Sequence, residues 1–435
     1  MRRAVTVVGI GDDGCLGLSA RAAGAVAGAR VLCGGARHLA FFPQFEGERI
    51  PLDRRLDAAV ARIAEASAEA PVCVLASGDP LFFGIGARVV SAVGAEHVEV
   101  LPHPSSVQWA FARAGLPWHD ALFLSLHGRG LAGLAVRLRH AAKAALLTDA
   151  ERTPAAVARH LAAHGERGLR AVLCERLCHA EERVRHLSLE ALAATEDVDP
   201  LNVLLLLRED PAWRPPPPLP DLPDEVFEQR PGLITKREVR LAALAALRLA
   251  RDAVVWDVGA GSGSVGISAG LLACEGRVHA VERDPESAER CRRNALTHGA
   301  DNVTVYAEPA PEALQGLEPP DAVFVGGAGG RLGEVVALAA ARLRPGGRIV
   351  VSAATLETLE EARRAFGEAG LAPEVSLHAP SRGAPLAGRL RLAPLNPVFL
   401  VAGGRAMQSG VVTERFASHI FKTNAPRKCD LGMDR

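Results

Sequence analysis

Short runs of consecutive apolar residues recur along this chain. Between them lie longer stretches in which apolar positions return every three or four residues. The first pattern is that of strands buried on both faces, and the second that of helices with one covered side. In the first half it predicts strands over Ala4–Gly9, Val72–Ala76, Val98–Leu101, Leu122–Leu126, Ala144–Leu147, Ala171–Cys174 and Val203–Leu207. Helices are predicted over Arg21–Ala29, Ala58–Ala68 and Ala155–His164. In the second half strands are predicted over Ala253–Val258, Arg277–Val281, Val303–Tyr306, Ala322–Val325 and Arg348–Val351, with helices between them. This alternation predicts an α/β protein with largely parallel sheets covered on both faces, and a doubly wound second half. A break near Gly115-Leu-Pro117 makes the first half bilobed.

The periodicity stops between Pro211 and Pro223, a stretch with seven prolines. Proline lacks the N–H that a helix or central strand requires, so an extended, semi-rigid spacer is expected. The predicted organisation is a domain over 1–210, a spacer over 211–224, a second domain over 225–404 and a tail over 405–435. In the tail Lys, Thr, Ser and Asn replace the Ala, Arg and Leu bias, so it is expected to be loosely docked or disordered.

Composition narrows the function. The 435 residues carry 50 basic and 50 acidic side chains, and only 4% are aromatic. A nucleic-acid partner is not expected, because such proteins usually need a basic excess and stacking platforms. No apolar run approaches the length of a membrane span, and no export signal is recognisable, so a cytoplasmic protein is expected. The eight cysteines are scattered, with no closely spaced pair of the CxxC kind. Cys174, Cys178 and His179 could suggest a metal site, but no second ligand pair follows at zinc spacing. They are read as helix-neighbour thiols, and no metal is expected.

Two glycine-rich loops carry the candidate chemistry. Trp256-Asp-Val-Gly-Ala-Gly-Ser-Gly-Ser264 follows a strand and opens a helix. Its glycines let backbone N–H groups approach a ligand closely. Glu282 ends the next strand, where a carboxylate can accept hydrogen bonds from two ribose hydroxyls. The ligand is a dinucleotide or S-adenosylmethionine. The GxGxG spacing after Asp257, with the loops Pro309-Ala-Pro311 and Asp321–Gly327, favours the latter. The second region combines Val8-Gly-Ile-Gly-Asp-Asp-Gly14, Leu75-Ala-Ser-Gly-Asp-Pro-Leu-Phe-Phe-Gly84 and Pro102-His-Pro-Ser-Ser106. In it Gly78 and Pro80 shape a turn at a strand's carboxyl end, where α/β sheets bind ligands. Ser105 and Ser106 are placed either to cap a helix or to meet a ligand.

These residues resemble two known families. The Trp256–Ser264 loop resembles class I S-adenosylmethionine-dependent methyltransferases. Leu233–Arg240, Val281–Pro285, Ala310–Leu314, Arg344-Pro-Gly-Gly347 and Asn396–Leu400 extend the likeness to the decarboxylating, C15-methylating domain of corrin synthesis. In place of the Asn/Asp-Pro-Pro-aromatic motif of base methylases stands Gly326-Gly-Ala-Gly-Gly330. The first half is similar to the tetrapyrrole methylase family. Gly34-Gly-Ala-Arg-His-Leu39, Ser125-Leu-His-Gly-Arg129, Leu147-Thr-Asp149 and Asp199–Val203 point to its C5-methylating branch.

The resemblance implies two S-adenosylmethionine sites per chain. One would be lined by Gly78, Asp79, Leu81, Phe82, Ser105 and Ser106. The other would be lined by Thr235, Gly259, Ala260, Gly261, Ser262, Gly263, Glu282 and Ala310. It further implies a polycarboxylate corrin precursor as substrate and a homo-oligomer. Arg37, His38, His127, Arg129, Lys236, Arg237 and Arg382 are candidates to grip the substrate carboxylates. No catalytic acid or base is singled out. Ser268 stands where the C15-methylating family usually has Glu. The remaining alternative is a class I methyltransferase acting on RNA or protein, with the first half as a binding module.

Overall fold

The structure, a computed structural model, describes residues 4–405 except 54, 218 and 231. The predicted tail from 406 on therefore lies outside the described residues.

Three sheets organise the chain. The first holds β1 (Val5–Ile10), β2 (Val31–Gly34), β3 (Glu48–Pro51), β4 (Val72–Ser77) and β5 (Val98–Leu101). It is wholly parallel, in the order β3-β2-β4-β1-β5. Its strands are short Val-rich runs with both faces covered, as the continuous apolar pattern predicts.

The second sheet holds β6 (Leu122–Ser125), β7 (Lys143–Leu147), β8 (Leu169–Glu175), β9 (Arg183–Ser188) and β10 (Asn202–Arg208), in the order β6-β7-β10-β8-β9. Here the expectation of largely parallel pairing is corrected. Only β6 and β7 pair in parallel, while β10 runs antiparallel to β7 and β8, and β8 antiparallel to β9. β9 is half polar, and its charges are used inside the sheet. Arg183 and Arg185 both bond the carboxylate of Glu175, which is 1% exposed and also accepts from the Asp199 N–H. Cys174 and Cys178 are not helix neighbours either. Cys174 is the penultimate residue of β8, and Cys178 sits in the β8–β9 connection with φ +67°. Among the described residues no His/Cys/Asp/Glu group could hold a metal ion.

The third sheet has seven strands. They are β11 (Val254–Val258), β12 (Arg277–Val281), β13 (Val303–Tyr306), β14 (Ala322–Val325), β15 (Arg348–Ala353), β16 (Glu374–His378) and, after the hairpin β17 (Ser381–Leu386) and β18 (Arg389–Pro394), β19 (Val398–Gly404). The order is β13-β12-β11-β14-β15-β19-β16. The direction of winding reverses between β11 and β14, which opens a crevice at their carboxyl ends. No described helix is long and apolar enough to cross a membrane.

Among the described residues no helix or strand lies between Arg208 and Asp224. The end of this connection is pinned. Arg237 pairs with Asp221, and Arg240, fully buried, donates to the carbonyls of Leu222 and Thr235 and pairs with Asp224 at 3.3 Å.

Candidate active sites

Each half has a cavity at the carboxyl end of its parallel strands. The N-terminal cavity, about 440 Å³, opens beyond β1 and β4 and reaches the ends of β6 and β7. Gly78 is the hinge of its wall. With φ +58°, an added Cβ there would lie 2.8 Å from the Ser105 backbone. The loop after β4 therefore seats directly on the loop after β5. Phe82, Ser105 and Ser106 also line this cavity, as do Arg37, His38 and His127.

Ser105 caps the helix Ser106–Ala114. Its Oγ accepts from the Gln108 N–H, and Gln108 accepts in return from the Ser105 N–H. Ser106, one position on, has no side-chain partner among the described residues and keeps its hydroxyl for the cavity. Two predicted residues leave the wall. The carboxylate of Asp79 turns back to accept from the Leu81 N–H at 2.8 Å, and Leu81 is 57% exposed. Arg129 is exposed and does not line the cavity either.

A polar chain runs along the cavity floor. Arg37 donates to Asp12 at 2.9 Å and lies within 3.2 Å of His38 Nε2, which Ser77 Oγ also meets at 3.2 Å. Burial, reinforced by the Arg37 charge, pushes the His38 pKa down to about 4. Trp109, also on the wall, has a buried indole N–H without a partner among the described residues. Trp109, Asp12 and Ser77 escaped sequence reasoning, because their neighbours come from separate loops.

The C-terminal site occupies the crevice between β11 and β14. A cavity of about 820 Å³ is lined by Thr235, Lys236, Gly259, Ala260, Gly261 and Ser262. A neighbouring one of about 210 Å³ is lined by Gly259, Glu282 and Ala310. Gly259 has φ +70°, and an added Cβ would lie 2.2 Å from the Gly327 carbonyl oxygen. The two glycine loops are thus in backbone contact. Gly263 faces away from both cavities, toward Cys291 Sγ.

Glu282 is held by its own surroundings. One carboxylate oxygen accepts from the Gly261 N–H and the other from the Asp284 N–H, each at 2.9 Å. Each oxygen retains a lone pair for a ligand hydroxyl. Asp257 lies behind the loop, 1% exposed, accepting from the Gly266 N–H at 2.8 Å. Burial, with a smaller push from Glu282, raises its pKa to about 7. Its other oxygen has no partner among the described residues. Ser268 is fully buried and donates to the Ser264 carbonyl, so the site as built holds no acid there.

Two arginines are corrected. Arg237 pairs with Asp221, and Arg382 is taken up by Glu238 and Asp224 at 2.8–2.9 Å. Neither lines either of these two cavities, and nearby carboxylates already occupy both guanidinium groups. Lys236 does line the larger cavity and has no ion pair among the described residues.

Comparison with known proteins follows the same division. A model of the tetrapyrrole (corrin/porphyrin) methylases matches residues 4–193, and one of a precorrin methyltransferase domain matches residues 225–402. A precorrin-6Y C(5,15)-methyltransferase (decarboxylating) of Sinorhizobium sp is 38% identical over 359 residues, covering 81% of this chain and 85% of that protein. A cobalt-precorrin-7 C(5)-methyltransferase of Salmonella typhimurium is 38% identical over 200 residues, covering 46% of this chain and 98% of that protein. A protein of Pyrobaculum calidifontis named "Probable cobalt-precorrin-6B C(15)-methyltransferase (decarboxylating)" is 42% identical over 185 residues, covering 42% of this chain and 94% of its own length.

Proposed function

The chain belongs to the decarboxylating precorrin-6Y C(5,15)-methyltransferases, and from that premise we propose that the sites of its two halves divide the reaction between them. The enzyme methylates a precorrin at C5 and C15 with loss of CO2, in cobalamin biosynthesis, using S-adenosylmethionine. In our reading residues 1–210 carry out the C5 methylation. Residues 225–404 carry out the C15 methylation and the decarboxylation. The observation that carries this division is the presence of separate glycine-built cavities in the two halves, each at the carboxyl ends of parallel strands.

The donor, when bound, supplies an electrophilic methyl group. The chain's residues have to hold that group in line with an electron-rich ring carbon and keep water away. In the C-terminal site Glu282 is the acceptor for two ribose hydroxyls. The Gly259–Gly263 loop, Thr235 and Ala310 enclose the rest of the donor. In the N-terminal site Gly78, Phe82, Ser105 and Ser106 form the corresponding wall. The free Ser106 hydroxyl supports a polar ligand there. Lys236 is the cation best placed for a substrate carboxylate in the C-terminal site, and in the N-terminal one Arg37 lines the cavity while paired with Asp12.

We include self-association in the same reading. Leu390 and Leu392, on the β17–β18 hairpin, are 76% and 72% exposed, which favours a homo-oligomer measurable by sedimentation. Neither nucleic acid nor a membrane is a partner in this reading, in keeping with the balanced charge.

Calorimetry should find two S-adenosylmethionine sites per chain. Mass spectrometry of the product should show two methyl groups gained and one CO2 lost. Glu282→Ala should stop C15 methylation and leave C5 methylation measurable. One binding site per chain, or loss of C5 instead of C15 methylation, would overturn the division.

A further inference from the structure

We propose that His127 is the proton acceptor for the methyl transfer carried out in the N-terminal cavity. The proposal rests on the assignment of C5 methylation to that cavity. A ring carbon gaining a methyl group forms the new carbon–carbon bond with its own π pair. The sulfur–methyl bond breaks, and sulfur keeps that pair. The macrocycle is then one positive charge richer, and neutrality returns only when one proton leaves it. That proton requires an acceptor with a free lone pair facing the ring.

The titratable side chains on the cavity wall can be weighed one by one. Arg37 and Arg176 are cations with no lone pair to offer. One oxygen of Asp12 is held by Arg37 at 2.9 Å, and the other is buried out of reach of a ligand. His38 Nε2 is already shared between Arg37 and Ser77, and burial disfavours its protonated form. Burial likewise pushes Cys174 up to about 12 and raises Cys178, so neither offers a thiolate.

His127 differs from all of these. Its Nε2 lies 2.7 Å from the Thr148 carbonyl oxygen. A carbonyl can only accept, so Nε2 carries the hydrogen and the neutral ring has a bare Nδ1. That Nδ1 has no partner among the described residues. The side chain is exposed at the cavity mouth, where an imidazolium can pass its proton to water. The ring is also held in place. The next residue, Gly128, donates its N–H to Asp149, which accepts from Glu151 and Arg152 as well. The loop after β6 is thereby tied to the end of β7. The charged groups nearest in the chain and across this contact are Arg129, Asp149 and Arg152. The arrangement of a base oriented by a partner on its other ring nitrogen is the one general-base histidines use.

The test uses the full chain, labelled with 15N at histidine, with His127→Gln to assign the resonance. The expected spectrum shows His127 as the Nε2–H tautomer; an Nδ1–H tautomer would overturn the proposal. Single-turnover C5 methylation by His127→Gln should be about 10²- to 10⁴-fold slower, the usual range for general-base removal. S-adenosylmethionine binding in the N-terminal cavity should stay within about twofold, by the calorimetric criterion for a residue that does not hold the donor. A C5 rate close to wild type, or loss of that binding, would show that His127 is structural and overturn the proposal. Donor carrying a 13C-methyl group reports which ring carbon is affected. Slowing of C15 instead of C5 methylation would overturn the cavity assignment itself, and the proposal with it.

Discussion

At Gly259 a side chain has nowhere to go. The backbone is left-handed, and the Gly327 carbonyl fills the place of a Cβ. Gly259→Ala should therefore displace the loop, at about 1–3 kcal/mol of backbone strain plus the clash. Calorimetry should show S-adenosylmethionine affinity in the C-terminal cavity falling about fivefold or more, as such a strain implies. His38 makes a prediction about pH. In the unfolded chain its imidazole titrates near the ordinary 6.5, and in the fold near 4. The folded state thus binds the proton less readily. The stabilisation is complete above pH 6.5 and is lost as the pH falls toward 4. A urea-unfolding series should show His38→Gln losing less stability across that window, by at most about 3 kcal/mol. The glycine was legible in the sequence because its need is local: a turn after a strand. The environment of His38 was not, because Arg37 adjoins it in the chain while Ser77 arrives from the end of β4 and Asp12 from the loop after β1.

Elements differ in how openly the sequence announces them. Val72–Ser77 and Asn202–Arg208 are apolar on both faces, and a run of aliphatic residues is enough to find them. Arg183–Ser188 reads as a polar connection. It becomes a strand because Arg183 and Arg185 reach a carboxylate, that of Glu175, on its neighbour. The exposed β16 and the β17–β18 hairpin lack a core pattern for the same kind of reason, being placed by pairing rather than by burial. The helix Arg237–Leu247 shows a third case. Arg237 and Arg382 sit beside motifs that suggest a ligand, yet both bind carboxylates of the chain itself. The helix's own Arg240 secures Thr235 and Leu222 with a buried guanidinium. Replacing it with Met leaves two carbonyls unpaired and Asp224 with Arg382 alone. The expected cost is about 3 kcal/mol in chemical unfolding. Because Thr235 lines the larger cavity, donor affinity there should weaken as well.

At the scale of the whole molecule, the two halves are bound by a carboxylate rather than only by the proline-rich connection. Asp301, just before β13, has a side chain with 0% exposure. It accepts from the N–H groups of Ala135 and Val136 at 2.9 and 3.1 Å and meets His160 Nε2 at 2.8 Å. All three partners belong to the N-terminal half. Around them, Val136 packs against Ile267, Leu271 and Ala300 of the other half. Nothing in the spacing of Asp301 along the chain announces this, since its partners lie more than 130 residues away. Asp301→Ala would bury two backbone donors and an imidazole without an acceptor, and each such orphan costs about 1–3 kcal/mol. The penalty falls on the contact between the halves and spares the core of either. Scanning calorimetry should therefore show one unfolding transition for the wild type and two for Asp301→Ala. Limited proteolysis should cut sooner between residues 209 and 223, where no described helix or strand shields the chain. A variant that unfolds in one step at the wild-type temperature would show that apolar packing alone couples the halves. The loop ahead of Ala135 also carries His127, so the same substitution should slow C5 methylation more than C15 methylation. That follows because the C-terminal half supplies the anchor for an N-terminal catalytic loop.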